Sequence, residues 1–251
     1  MIERLRFVAS ETKVAQAALK RLTARYGQAT EDEAEVLVAL GGDGLMLTTL
    51  HGNRGLPVYG MNRGTIGFLM NDYAEEGLPE RIAEAELTVT NPLSMTAGAI
   101  DGSRYTALAI NEVSMLRIGP QAARLRISVD GRVRMEELVC DGALVCTPAG
   151  STAYNYSAHG PILPMGSDVL ALTAIAAFRP RRWRGAILPK TATVRFDVLE
   201  PEKRPVMADA DSRGVDSVLW VEIKSEPQVA HRILFDAGHG LEERLTREQF
   251  V

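Results

Sequence analysis

Apolar and polar positions follow two rhythms along this chain. Up to about residue 92, short apolar runs take turns with stretches of helical spacing. Arg4 to Ala9 reads as a strand. Residues 11 to 26 place Val14, Ala18, Leu22 and Tyr26 at helical spacing, with Glu11 and Thr12 at the start and Gly27 at the end. Glu35 to Leu40 (EVLVAL) is a continuous apolar run, the pattern of a parallel strand covered on both faces. Gly41-Gly42-Asp43-Gly44 follows at once, then a helix from about Leu45 to His51. A further strand around Val58 and Tyr59 leads into the loop Asn62-Arg63-Gly64-Thr65-Ile66-Gly67-Phe68-Leu69. Strands alternating with helices predict an open α/β domain.

From about residue 93 the rhythm changes to period two. Asp101-Gly102 and Asp130-Gly131 sit between such runs and read as hairpin turns. Arg124 to Val129 alternates cleanly, and residues 193–199, 217–224 and 229–235 are similar. One helix is expected to interrupt them, Asp168 to Phe178. The expected fold is α/β + β: an open α/β domain with the GGDG turn over 1–92, then a mostly antiparallel, β-rich domain over 93–236. Residues 237–251 return to the first domain, with a short helix from Leu241 to Phe250 packing back on it.

Composition narrows the classes. The chain has 251 residues, enough for one large domain or two modest ones, and 46% of them are apolar. The net charge of −4 gives no global positive field, so nucleic acid and an acidic membrane are not expected partners, and an anionic substrate must be held by local groups. No apolar run reaches bilayer length, and MIERLRFVAS lacks the pattern of a secretory signal. The two cysteines, Cys140 and Cys146, read as small core residues on one strand face, which fits a reducing cytoplasm. His51, His159, His231 and His239 show no HxH or HExxH spacing, so no protein-built metal site is expected.

Three blocks carry the candidate chemistry. In Gly41-Gly42-Asp43-Gly44, glycines let backbone N–H groups approach an anion at a helix N-terminus, a phosphate cradle without a lysine. Asp43 would repel phosphate, so it suits a base or metal-directing group aimed at a hydroxyl. The alternative is a plain strand-to-helix turn with an aspartate cap. Asn111-Glu112 breaks the apolar run ALAINEVSM, and both side chains serve one site only near a bend or strand end. The alternative is a strand end meeting solvent. Asp141 to Pro161 runs from a strand ending at Thr147-Pro148 into a small-residue turn and a helix opening near Ser151, rich in hydroxyls and free N–H groups suited to an adenine edge, ribose or pyrophosphate.

In this order the blocks resemble the NAD kinase family: GGDG, then N-x-G-x-x-G-F-L (here Asn62 to Leu69), then an NE pair, then D-G-x-x-x-x-T-P-T-G-S-T-A-Y (here Asp141 to Tyr154). The resemblance covers most of the chain. Ala149 stands where the family usually has threonine, and Asp211-Ser212-Arg213 stands where many members have D-G-Q, with Asp209 as the rival match to Asp211.

The resemblance implies phosphoryl transfer to the 2′-hydroxyl on the adenosine side of NAD, from ATP or polyphosphate, with a divalent metal, usually magnesium, on the donor. It implies that Asp43 is the base and that Gly42 and Gly44 line the phosphate path. Phe68 lies beside the adenosine; Asn111 and Glu112 reach the adenine and its ribose; Thr152, Ala153 and Ser157 line the pocket. Asp141, Tyr154 and Ala176 act across a subunit interface of a homodimer or homotetramer. Arg63 is a candidate phosphate cation, with a solvated loop arginine as the alternative. A lipid-kinase-like GGDG enzyme and a non-catalytic dinucleotide sensor are the other readings. The Thr147 to Tyr154 block speaks against the first and the presence of Asp43 against the second.

Overall fold

The computed structural model describes residues 4–53, 55–65, 67–238, 240–248 and 250, with backbone only at 241, 247 and 248. Met1 to Glu3, Ile66 of the glycine loop, His239 and Gln249 of the expected last helix lie outside the described residues. In chain order the elements are β1 (Leu5–Ala9), α1 (Lys13–Tyr26), β2 (Val36–Gly41), α2 (Asp43–Gly52), β3 (Val58–Asn62), α3 (Leu78–Glu84) and β4 (Glu86–Thr90). Then come β5 (Leu93–Ala99), β6 (Arg104–Ala109), β7 (Glu112–Arg117), β8 (Ala123–Val129), β9 (Arg132–Cys140), β10 (Gly142–Cys146), α4 (Tyr154–Ser157) and β11 (Val169–Ile175). The chain ends with β12 (Gly185–Pro189), β13 (Val194–Val198), β14 (Val206–Ala210), β15 (Arg213–Val215), β16 (Val218–Ser225), β17 (His231–Phe235) and α5 (Leu241–Glu248).

The chain divides into two compact units, Met1–Thr90 with Ala230–Val251, and Asn91–Val229. Unit 1 is a five-stranded sheet in the order β1-β2-β3-β17-β4, with β4 the antiparallel edge. All six residues of β2 are buried, as its unbroken apolar run requires. The return to unit 1 comes at Ala230, earlier than the expected 237. The reason is that 231–235 does not extend the second unit: β17 pairs in parallel with β3 and antiparallel with β4. Thr12 caps α1 by accepting from the Ala15 N–H, and Gly27 closes it with φ 79°. The buried stripe of α1 is Ala15, Ala18 and Leu22, while Val14, on the same helical spacing, is exposed.

Unit 2 is two six-stranded antiparallel sheets, β12-β11-β10-β7-β14-β15 and β6-β5-β16-β13-β8-β9. Alternate residues of these strands form one core, including Leu93 and Met95 of β5, Val113 and Met115 of β7, Leu125 and Ile127 of β8, and Phe196 of β13. The Asp130-Gly131 turn has φ 52° and 73°, the doubly left-handed geometry that matches hairpin twist.

The helix expected over Asp168 to Phe178 is instead β11. Leu, Ala and Thr at 170–174 suit a helix locally, but β11 pairs with β10 on one side and β12 on the other, and this pairing overrides local propensity. The helix expected to open near Ser151 begins only at Tyr154 and lasts one turn. Cys140 and Cys146 are free and buried, but they lie on successive strands, β9 and β10, rather than on one strand face.

Candidate active site

Unit 1 carries the GGDG turn. β2 ends at Gly41, and Gly42 caps α2 in an extended conformation with φ −121°. The glycine loop lies directly on this turn: a Cβ on Gly64 would sit 3.1 Å from the Gly42 Cα. The Arg63 N–H donates to the Gly41 carbonyl at 2.6 Å, and Asn62 Oδ1 accepts from the Gly64 N–H at 2.9 Å.

Asp43 is the first residue of α2, where the helix field favours a carboxylate. Its Oδ2 accepts from the Phe68 N–H at 2.9 Å and its Oδ1 from the Leu69 N–H at 2.8 Å. An ionised carboxylate has about four acceptor sites, so each oxygen keeps one for a further donor. Asp43 is therefore at once the anchor of the glycine loop and a half-buried acceptor. Phe68 and Gly42 are half-buried and Gly44 is exposed. Arg63 is not simply solvated: it is half-buried, its guanidinium carbon lies 3.2 Å from the Tyr73 ring centroid, and its Nε is buried without a hydrogen-bond partner.

Unit 2 builds a separate cluster around Asn111-Glu112. This pair stands at the bend between β6 and β7, the only kind of place where adjacent side chains of one strand reach one site. Asp211 holds the bend. Its carboxylate accepts from the N–H groups of Ile110 at 2.5 Å, Asn111 at 3.1 Å and Glu112 at 3.4 Å. Asp209 instead accepts from the Ser212 N–H at 2.7 Å. Geometry thus separates the two aspartates: Asp211 faces the NE bend, and Asp209 ties the β14–β15 turn. That turn carries Asp211 and Ser212 at φ 48° and 71°, so serine occupies a left-handed position where the family motif has glycine.

The Thr147-Pro148 turn grips the same bend from β10. Thr147 Oγ1 donates to the Ile110 carbonyl at 2.7 Å and accepts from the Gly150 N–H at 3.1 Å, while the Thr147 N–H donates to the Asn111 carbonyl at 2.9 Å. Gly150 is pressed onto this backbone. No hydrogen bond within the described residues engages the Asn111 side-chain amide, which leaves two donors and an acceptor for a ligand.

Behind the turn lies a buried polar lattice that sequence reasoning missed. Asn155 Nδ2 donates to the Ser151 and Pro161 carbonyls, both at 2.9 Å, and its Oδ1 accepts from Thr173 at 2.6 Å. Ser151 Oγ accepts from the Leu163 N–H at 3.1 Å. These bonds fix Thr152, Ala153 and Tyr154 at one end of β10; Ser157 is exposed at the end of α4. The available signal was weak: Asn155 stands among Ser151, Thr152, Tyr154, Tyr156 and Ser157, one polar group among several, and only its burial calls for internal partners.

Asp141 and Ala176 are not part of this cluster. The Asp141 N–H donates to the Ile175 carbonyl at the far end of β10, about 20 Å from Thr147 for six residue steps of extended chain. Asp141 pairs there with Arg117 Nε at 2.5 Å, and Ala176 is exposed with φ 49°. Tyr154 packs against the small core cluster of Leu144, Cys146, Leu163 and Ala171. Burial, with the charges of Glu112 and Asp141, pushes its phenol up.

Glu112 is the most perturbed acid of the cluster. Burial, then the charges of Asp211 and Asp209, push its carboxyl up to about 8 from 4.5. Its Oε2 is buried without a hydrogen-bond partner, a cost that a ligand hydroxyl would relieve. The fold binds this proton more tightly than the unfolded chain does, so its contribution to stability declines as pH rises from about 4.5 to about 8 and is then constant. Glu112→Gln cannot titrate. Thermal midpoints of wild type and variant from pH 5 to 8.5 should therefore diverge, wild type losing stability relative to Glu112→Gln as pH rises. Parallel curves would remove the shift.

Among the described residues no three His, Cys, Asp or Glu side chains gather as a metal site, and no helix is long and apolar enough to cross a membrane.

Comparison with known proteins gives the family and the fold. Residues 110–223 match the ATP-NAD kinase C-terminal domain family. The chain is 71% identical over 251 residues to an NAD kinase of Cereibacter sphaeroides, covering 99% of each chain. It is 56% identical over 250 residues to an NAD kinase of Hyphomonas neptunium, covering 99% of this chain and 98% of that one. Among solved structures its fold is similar to yeast NADH kinase complexed with NADH (TM-score 0.82, 20% identity, covering 99% of this chain and 87% of that one). It is also similar to an NAD kinase from Archaeoglobus fulgidus in complex with ATP (TM-score 0.76, 23% identity, covering 98% and 97%).

Proposed function

The chain belongs to the NAD kinase family and phosphorylates NAD to NADP, and we propose that Asp43 is the base that receives the proton of the adenosine ribose 2′-hydroxyl. The observation that carries this reading is the Asp43 carboxylate, fixed by two backbone N–H groups yet keeping acceptor capacity on each oxygen. As the 2′-oxygen bonds the terminal phosphorus of the donor, the bond from that phosphorus to its bridging oxygen breaks. ADP leaves when ATP is the donor, a shortened chain when polyphosphate is, and the hydroxyl proton passes to Asp43. Such transfer relies on alignment more than on covalent help from the protein. Magnesium bound to the donor's phosphates would supply charge neutralisation, and no step here depends on its position.

In unit 2 the Asn111 amide suits an adenine edge, and Glu112, with an unpaired buried oxygen, suits a ribose hydroxyl. Thr152, Ala153 and Ser157 line the same pocket. Asp141 and Ala176 stand apart at the other end of β10, with Tyr154 over the strand between them and Glu112. That separation supports a role toward a second subunit in a homodimer or homotetramer, which sedimentation at working concentration would read. Two free, buried thiols are compatible with a reducing cytoplasm.

The test is a coupled assay. Purified protein, magnesium and NAD are incubated with ATP or with polyphosphate, and NADP is detected by an NADP-specific dehydrogenase. NADP formation with ATP is expected. NADP appearing with neither donor would overturn the reading.

A further inference from the structure

The peptide segment that holds Asp43 is itself held from its other side. Its N–H groups at Phe68 and Leu69 point to the Asp43 carboxylate. Its carbonyls at Gly67, Phe68 and Met70 point to Arg244 of α5, whose Nη1 lies 3.4, 3.0 and 2.6 Å from the three oxygens. A short peptide run thus sits between an anion on its donor side and a cation on its acceptor side. Both charges align with the peptide dipoles, and hydrogen bonds to charged groups are shorter and stronger than neutral ones.

Arg244 is itself well fixed. Its guanidinium carbon lies 5.2 Å from the Phe235 ring centroid at the end of β17, and its neighbour Leu245 is buried. The last helix is therefore tied to the glycine loop by a side chain, not only by apolar packing.

We infer that Arg244 is a positioning residue for phosphoryl transfer: by gripping the 67–70 carbonyls it sets the two N–H groups that aim the Asp43 carboxylate. This inference rests on Asp43 being the base. Arg244 does not touch substrate. Its loss would let the loop carbonyls seek water, and the loop amides would shift with them. A displacement of about 1 Å at a reacting group is enough for a rate loss of about 10²-fold.

The experiment is a double-mutant cycle on the full chain with Asp43→Asn, Arg244→Met and both changes, reading kcat, KM for NAD and for ATP, and the thermal midpoint. Arg244→Met should lower kcat by about 10- to 100-fold with both KM values nearly unchanged. The double variant should be no slower than Asp43→Asn, because the two changes break one chain of contacts. Arg244→Lys keeps a cation near the carbonyls and should recover part of kcat, and guanidinium ion added to Arg244→Met should recover part as well. A merely structural arginine would show a fall in thermal midpoint without rescue by the small cation. Wild-type kcat in Arg244→Met, or losses that add in the double variant, would overturn the inference while leaving the Asp43 reading in place. Wild-type kcat in Asp43→Asn would overturn both, and the single variants tell these cases apart.

Discussion

Asp43→Asn lowers kcat for NADP formation by about 10²-fold or more, while affinity for NAD changes far less. Aspartate and asparagine have nearly the same size, so the α2 N-terminus and the loop keep their packing. The variant loses the base, since an amide cannot accept the hydroxyl proton. It also loses one anchor: both carboxylate oxygens accept backbone N–H groups, from Phe68 and Leu69. Asparagine has one oxygen and one NH₂, so one of those N–H groups would face another donor. The thermal midpoint should therefore fall, by the loss of a charge-assisted bond of about 1.5–3 kcal/mol. The loss of the base falls on kcat and the loss of the anchor on the thermal midpoint, so the two contributions are read by separate measurements. A variant with near-normal kcat would remove Asp43 from the chemistry.

The parts of this fold legible in the sequence are those decided by neighbours along the chain. The Thr12 cap, the Gly27 stop, the unbroken run of β2 and the Asp130-Gly131 turn each depend on a few adjacent residues, and each stands where expected. What was not legible depends on pairing across distance. The stretch Leu170 to Ala174 is as good a helix as a strand until β10 and β12 flank it. β17 reads like any other alternating strand, and only its partners β3 and β4 assign it to unit 1. The same division holds within the site. Motif order placed the NE pair, but its meaning came from three N–H groups converging on Asp211, which lies about a hundred residues on. Motif order favoured Asp211 but left Asp209 as a rival; the hydrogen bonds separate them. Thr147 stood in plain view inside a motif as one hydroxyl among several, and its grip on Ile110 and Asn111 exists only once β7 and β10 pair.

Gly150→Ala tests that grip directly, and it is expected to cost both stability and dinucleotide binding. A Cβ at Gly150 would lie 2.3 Å from the Asn111 carbonyl oxygen and 2.4 Å from its carbonyl carbon and Cα. Approaches under 3 Å to backbone must be relieved by movement, and here neither side is free to move. Asp211 fixes the bend from one side through three N–H groups, and Thr147 fixes it from the other through two carbonyls. The turn cannot retreat either, because Gly150 donates to Thr147 Oγ1 and Ser151 is locked through Leu163 and Asn155. Overpacking of this kind costs about 1–3 kcal/mol, occasionally more. The strain falls on the backbone that carries the Asn111 amide. Each 1.4 kcal/mol by which binding weakens is about a 10-fold drop in NAD affinity, and a drop of at least that size is expected. Gly119→Ala is the matched control: its added Cβ would meet nothing within 4 Å, and Gly119 lies outside the cluster. Thermal midpoints and calorimetric NAD titrations on both variants decide the matter. Gly119→Ala should match wild type in both measurements. A Gly150→Ala protein with wild-type midpoint and wild-type NAD affinity would show that the bend yields, and that its rigidity is not what presents Asn111 and Glu112 to the substrate.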